Sequence, residues 1–164
     1  MKIAIIMGSD SDWSIMKPAV DLLRSFDIQF DITVASAHRT PNKVREFVQS
    51  SVGNGAKVFI AAAGCAAHLA GVVASYTTMP VIGVPISAEP FKGFDSLLST
   101  VQMPPGVPVA TMAVNGAKNA ALFAVQILAT SDKIIAQKLI EYRTNMEAEI
   151  DKKAEKIKKE AGEN

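Results

Sequence analysis

The chain has 164 residues and a mass of 17.4 kDa, the size of one domain that can bury a core without disulfides or structural metal. Seventeen Lys and Arg against sixteen Asp and Glu leave a formal charge of +1, which excludes a polybasic nucleic-acid footprint and an acidic tail. A single Cys forms no internal disulfide, two His and one Cys fall short of a closed zinc site, and 49% hydrophobic residues exclude a disordered segment.

Lys2 to Met7 is a short apolar run ending at Gly8, the pattern of a strand buried on both faces. Ser9, Asp10, Ser11 and Asp12 supply capping side chains ahead of Trp13, Ile15, Met16, Val20, Leu22, Leu23 and Phe26. They predict a helix to about Phe26, kinked at Pro18. Ile28 to Ala35 alternates as a second strand, and Thr40-Pro41 reads as the N-cap and first position of a helix to about Gly53. Lys57 to Ala63 is predicted as a third strand, Cys65 to Tyr76 as a third helix and Pro80 to Val84 as a fourth strand. Phe94 to Gln102 follows as a helix, Val107 to Val114 as a fifth strand and Ala117 to Ala129 as an Ala-rich buried helix. The alternation argues a parallel sheet with helices on both faces.

Charge is spread unevenly. Residues 131–164 hold 16 of the 33 charged side chains, and residues 58–88 hold none. The charge-free stretch is broken by Gly64, His68, Gly71, Pro80 and Pro85, so it reads as a buried layer and no membrane partner is expected. Met1 to Ile6 leads straight into a turn without a signal-peptide pattern, and a cytoplasmic location is expected. From Ser131, read as an N-cap, Ile135, Leu139, Tyr142, Met146, Ile150 and Ile157 recur at near-helical spacing. A helix of ~30 residues is roughly 45 Å long, more than this body covers, so it is expected to reach a partner subunit, with about the last eight residues frayed. The chain is thus expected to divide into a single α/β domain at 1–130, where any site would lie, and a helical extension for oligomer contacts at 131–164.

Ligands of open parallel sheets bind outside the carboxyl ends of the strands. The first strand delivers Gly8 to Asp12 there, the second Ser36 to Thr40, and the third Ala63 to His68, so both histidines fall on one edge. The first turn suits a phosphorylated sugar. Gly8 admits close backbone approach, Ser9 and Ser11 donate hydrogen bonds, a helix N-terminus favours an anion, and Asp12 suits ribose hydroxyls. Helix capping alone would also account for that Ser and Asp content. The Gly-Lys-Ser/Thr phosphate loop and G-x-G-x-x-G are absent, which weighs against nucleoside triphosphates and dinucleotides. His38 beside Arg39 combines an acid/base near neutral pH with a bidentate phosphate clamp, against the alternative of an inert surface loop. His68 reads equally as a site residue or as a satisfied helix histidine.

Gly8-Ser9-x-Ser11-Asp12-Trp13, Ser36-Ala37-His38-Arg39-Thr40-Pro41, Ala66-Ala67-His68-Leu69, Pro80-Val81-x-Gly83-Val84-Pro85, and Asp95 to Ser99 through Val101 to Pro104 together resemble the 5-(carboxyamino)imidazole ribonucleotide mutase family, the class I enzymes of purine synthesis. The resemblance covers about residues 1–145, with the motifs in the same order. It implies a three-layer αβα flavodoxin-like sandwich, a homo-octamer, no metal and no organic cofactor. It also implies aminoimidazole ribonucleotide and CO₂ as the species handled. Carried over motif by motif, it implies that His38 is the catalytic histidine and that His68 is a second histidine lining the pocket. Ser9, Asp12 and Arg39 then fall on nucleotide-binding positions, Gly64 and Ala66 on the Gly-rich loop near the base, and Ser11 and Ser36 on matched motifs.

The chain departs from the family at Cys65, where a second Gly is usual, at Ala70, where Pro is usual, in a Val114 to Asn119 stretch about two residues shorter, and in a polar Glu89 to Lys92 loop. The short stretch resembles the related class II enzymes, which carboxylate aminoimidazole ribonucleotide directly with CO₂. That activity and a non-catalytic nucleotide-binding oligomer are the alternatives. Cys65, read as the start of a helix, is either a thiol activated by the helix N-terminus or a small buried side chain.

Overall fold

The computed structural model describes residues 1–162. Its elements are β1 (Lys2–Met7), α1 (Trp13–Ser25), β2 (Gln29–Val34), α2 (Pro41–Gly53), β3 (Ala56–Gly64), α3 (Leu69–Ser75), β4 (Val81–Ile86), α4 (Phe94–Val101), β5 (Ala110–Thr111), α5 (Ala117–Ala129) and α6 (Lys133–Ala161). Every strand pairs in parallel, in the order β2-β1-β3-β4-β5. This is the flavodoxin-like order, in which the chain changes direction across the sheet between β1 and β3.

The period of two along the central strands sorts their side chains into two cores. Ile3, Ile5 and Met7 of β1 and Val58, Ile60 and Ala62 of β3 face α1, α5 and the start of α6. Ala4 and Ile6 of β1 and Phe59 and Ala61 of β3 face α2 and α3. Each large apolar side chain taken from water in these layers contributes roughly 1.5–3 kcal/mol. On α5, the buried Ala117, Ala120, Ala121 and Ala124 recur at helical spacing and let the helix lie close to the sheet. On β4, a Cβ at Gly83 would lie 2.4 Å from Thr100 Cγ2, so the missing side chain lets α4 pack directly on the strand.

The three-layer αβα sandwich and the long C-terminal helix are as the sequence predicts, and three local expectations are corrected. The fifth strand is two residues long, because Pro108 and the surrounding turns leave only Ala110 and Thr111 in register with Ile82 and Gly83. Helix α3 starts at Leu69, because Cys65 adopts φ 54 and the chain turns through Ala66 and Ala67 before becoming helical. Thr40 and Pro41 stand at the N-cap and first position of α2 as expected, with the Thr40 hydroxyl bonded back to Ser36. Helix α6 is capped by Asp132, whose carboxylate accepts from Ile134 N at 2.9 Å and Ile135 N at 3.1 Å, and Ser131 lies one residue outside.

The 29 residues of α6 run on to Ala161, so residues 157–161 are helical; Glu163 and Asn164 lie outside the described residues. Its first turns are docked. Ile135 is buried, the Tyr142 ring lies 5.6 Å from that of Phe26, and Lys138 donates to Asp27 and to the Phe26 carbonyl. Farther along, Met146, Ile150 and Ile157 are at least half exposed. No described helix is long and apolar enough to cross a membrane.

Candidate active site

The carboxyl ends of β1, β2, β3 and β4 open into a cleft of about 450 Å³, at the place where the strand order reverses. A larger depression, about 1170 Å³, lies at the amino end of β4, where Tyr76 is the one titratable side chain lining it. The chemistry-bearing residues gather in the smaller cleft.

The first turn is held by its own side chains. Ser9, in extended conformation, accepts from Ser11 N through its hydroxyl, and its own N–H donates to Asp12 Oδ2 at 3.1 Å, the two halves of a capping box. The Ser11 hydroxyl donates to that of Ser9 at 2.8 Å. Asp12 is only 5% exposed, and its burial pushes the carboxyl above its ordinary value of 3.8 while the Ser9 N–H pulls it back. A Cβ at Gly8 would meet only ordinary contacts at 3.5 Å or more, so packing within the chain does not require glycine there.

The second turn is also internally bonded: Arg39 N donates to Ser36 Oγ at 3.2 Å and Ser36 N to Thr40 Oγ1 at 2.9 Å. The Arg39 guanidinium reaches across to the Gly8 carbonyl at 3.3 Å, placing a permanent cation over the first turn. His38 Nε2 lies 2.9 Å from Nδ1 of His68, with the rings edge to face. One proton occupies such a bond, because two cationic rings would set N–H against N–H, so the bonded pair carries at most one positive charge.

The third turn is tightly seated. A Cβ at Gly64 would press on the Ile86 carbonyl at 3.3 Å, His68 is the N-cap residue of α3 without a side-chain cap bond, and Cys65 is exposed beside the cleft. Among the described residues no three of His, Cys, Asp and Glu form a metal-binding cluster.

With this geometry in place, the chain matches the AIR carboxylase family model over residues 2–149. The chain belongs to that family. It is 54% identical over 156 residues to the N5-carboxyaminoimidazole ribonucleotide mutase of Methanocaldococcus jannaschii, covering 95% of this chain and 97% of the relative. It is 49% identical over 156 residues to the mutase of Thermotoga maritima, covering 95% and 91%. The crystal structure of Treponema denticola PurE superposes with a TM-score of 0.87 at 29% identity, covering 96% of this chain and 98% of that one.

The cleft brings together all nine residues the sequence singled out: Ser9, Ser11, Asp12, Ser36, His38, Arg39, Gly64, Ala66 and His68. The placement of Cys65 at a helix start is wrong, and so is the reading that buries it. It is an exposed turn residue in the left-handed region, a conformation that favours glycine. Sequence reasoning missed the contribution of β4. Ile86, Ser87 and Ala88 line the cleft, and Ser87 N is clamped by Asn115 Oδ1 at 2.8 Å. Extending the strand-end rule from three strands to four would have found them.

Proposed function

We propose that this cleft moves the carboxylate of N5-carboxyaminoimidazole ribonucleotide from the exocyclic nitrogen to ring carbon 4, with His38 as the acid and base. The chain is by reaction class a mutase, an isomerase of purine biosynthesis. The observation that carries the site assignment is the bonded His38–His68 pair in one cleft with Arg39 and the Ser9–Asp12 turn.

The chemistry asks for one proton at two places. His38 gives a proton to the exocyclic nitrogen as the bond to the carboxylate carbon breaks and CO₂ leaves. Carbon 4 attacks the CO₂ while it is still in the cleft, and the proton on carbon 4 returns to His38. A histidine suits both transfers because its charge changes near neutral pH. Retaining CO₂ beside the ring replaces a dilute encounter with a near-attack arrangement. Ser9, Ser11 and Arg39 hold the phosphate, Asp12 and Ser36 contact the nucleotide, and Gly64 and Ala66 pass close to the base. That remote binding energy fixes the ring at the reacting centre.

We further assign the exposed length of α6 to contacts between subunits of a homo-octamer working in the cytoplasm. Support comes from Met146, Ile150 and Ile157, apolar side chains standing in water on a helix that outruns its own domain. The body, 1–130, then holds the catalytic site, and 131–164 serves assembly.

The test uses substrate carrying isotope in its carboxylate, with and without excess unlabelled bicarbonate. Retention of label in the product is expected. Exchange with bicarbonate would make the protein a carboxylase, which the relatives' names do not favour, and absence of turnover would make it a binder.

A further inference from the structure

Both histidines of the chain meet in one hydrogen bond, although they stand on different turns 30 residues apart. Among the described residues no other hydrogen bond reaches either ring, so each keeps one open nitrogen, Nδ1 on His38 and Nε2 on His68. The location of the shared proton decides what His38 can do. If His68 Nδ1 holds it, neutral His38 is protonated at Nδ1 and must break the bond before it can act as a base. If His38 Nε2 holds it, the His38 cation carries an Nδ1–H to give, and the neutral ring has a bare Nδ1 to take it back. Only the second arrangement serves both transfers with one atom and an unbroken bond.

We infer that His68 is a positioning residue: its Nδ1 accepts the Nε2–H of His38 and fixes His38 Nδ1 as the atom that gives and then recovers the proton. This rests on the mutase reading of the cleft. The cycle balances. The Nδ1 proton goes to the exocyclic nitrogen as the N–C bond breaks and CO₂ leaves. Carbon 4 then forms its bond to CO₂, leaving the ring as an iminium, and the carbon 4 proton returns to Nδ1 as its electron pair restores the aromatic ring. His38 ends as it began. His68 remains neutral throughout, protonated at Nε2, and supplies no proton.

Two measurements test this on the full chain. Long-range proton–nitrogen NMR of the wild-type protein contains only two imidazoles, which the His38→Asn spectrum assigns. Neutral His38 should be protonated at Nε2, and a neutral His38 protonated at Nδ1 overturns the inference. In the mutase assay, the amide oxygen of His68→Asn can still accept the His38 proton, whereas His68→Phe keeps a ring of similar size without an acceptor. His68→Phe should lose ~10- to 100-fold in kcat with little change in KM, the usual cost of removing the partner that orients a reacting imidazole. His68→Asn should retain several-fold more kcat than His68→Phe. Equal kcat in the two variants, or full activity in His68→Phe, overturns the positioning role. Wild-type protein that fails to turn over the nucleotide defeats the mutase reading instead, and the NMR result still decides the tautomer.

Discussion

The turns after β1 and β3 line the same cleft from adjacent strands, yet they are built in opposite ways. Gly8 to Asp12 satisfies itself: Ser9 and Asp12 close a capping box and the Ser11 hydroxyl bonds to Ser9. Gly64 to His68 has only backbone bonds of its own, Ala67 N to the Cys65 carbonyl and His68 N to the Ala66 carbonyl, and no side-chain bond within the turn. It contains a left-handed Cys65, leads into a helix of seven residues with no side-chain cap, and is held by neighbours, the Ile86 carbonyl against Gly64 and the His38 ring against His68. A self-bonded turn keeps its donors fixed whatever enters the cleft. A turn held by its neighbours passes any change in them to the side chain it carries. Binding is assigned to the first and proton handling to the contact between the second turn and the third.

The sharpest way to break that division is His38→Asn, which should lower turnover by at least ~100-fold while nucleotide affinity, measured by calorimetry, is kept. Near-normal turnover would remove His38 from the chemistry. Arg39→Ala should do the reverse, weakening the phosphorylated nucleotide by ~10- to 100-fold, since charged hydrogen bonds are worth about 1.5–3 kcal/mol, and leaving a dephosphorylated nucleoside unaffected. Equal weakening of both ligands would show that Arg39 does not bind phosphate.

Smaller effects separate the turns by stability. Cys65→Gly relieves a side chain held at φ 54 and should raise unfolding stability by about 1 kcal/mol in urea with activity kept. A loss of activity in the folded variant would give the thiol a chemical role. Asp12→Asn keeps a carbonyl for the Ser9 N–H while removing a buried charge, so it should stabilise by less than about 1 kcal/mol at neutral pH. The sign follows from the raised carboxyl. The folded wild type takes up its proton at a higher pH than the unfolded chain, so it regains stability as pH falls, and the gap to the variant closes below the ordinary value of 3.8. A gap that widened on acidification would contradict the cost of burial.

Much of this was legible in the residues, for reasons that differ by element. Runs buried on both faces announce β1 and β3, and Pro41 at N1 announces α2, because each is a local signal. The convergence of nine residues on one edge followed from parallel topology and the strand-end rule. Three things did not follow. The φ of Cys65 belongs to an irregular turn between β3 and α3, and no periodicity encodes it. The shortness of β5 depends on how few residues stay in register with β4. The bond between His38 and His68 joins turns on β2 and β3, and the presence of two histidines on one edge fixes neither their distance nor which nitrogens meet.

Every residue lining the cleft lies between Gly8 and Ala88, so the ribosome has made the whole site when little more than half the chain exists. One face of the sheet that carries it waits longer, because Ile3, Ile5, Val58 and Ile60 are covered in part by α5 and the first turns of α6. A nascent chain of that length would hold its cleft residues on a sheet whose apolar back is covered by α1 alone. The order of synthesis therefore makes residues 117–142, none of which lines the cleft, the last step in completing the sheet that carries it.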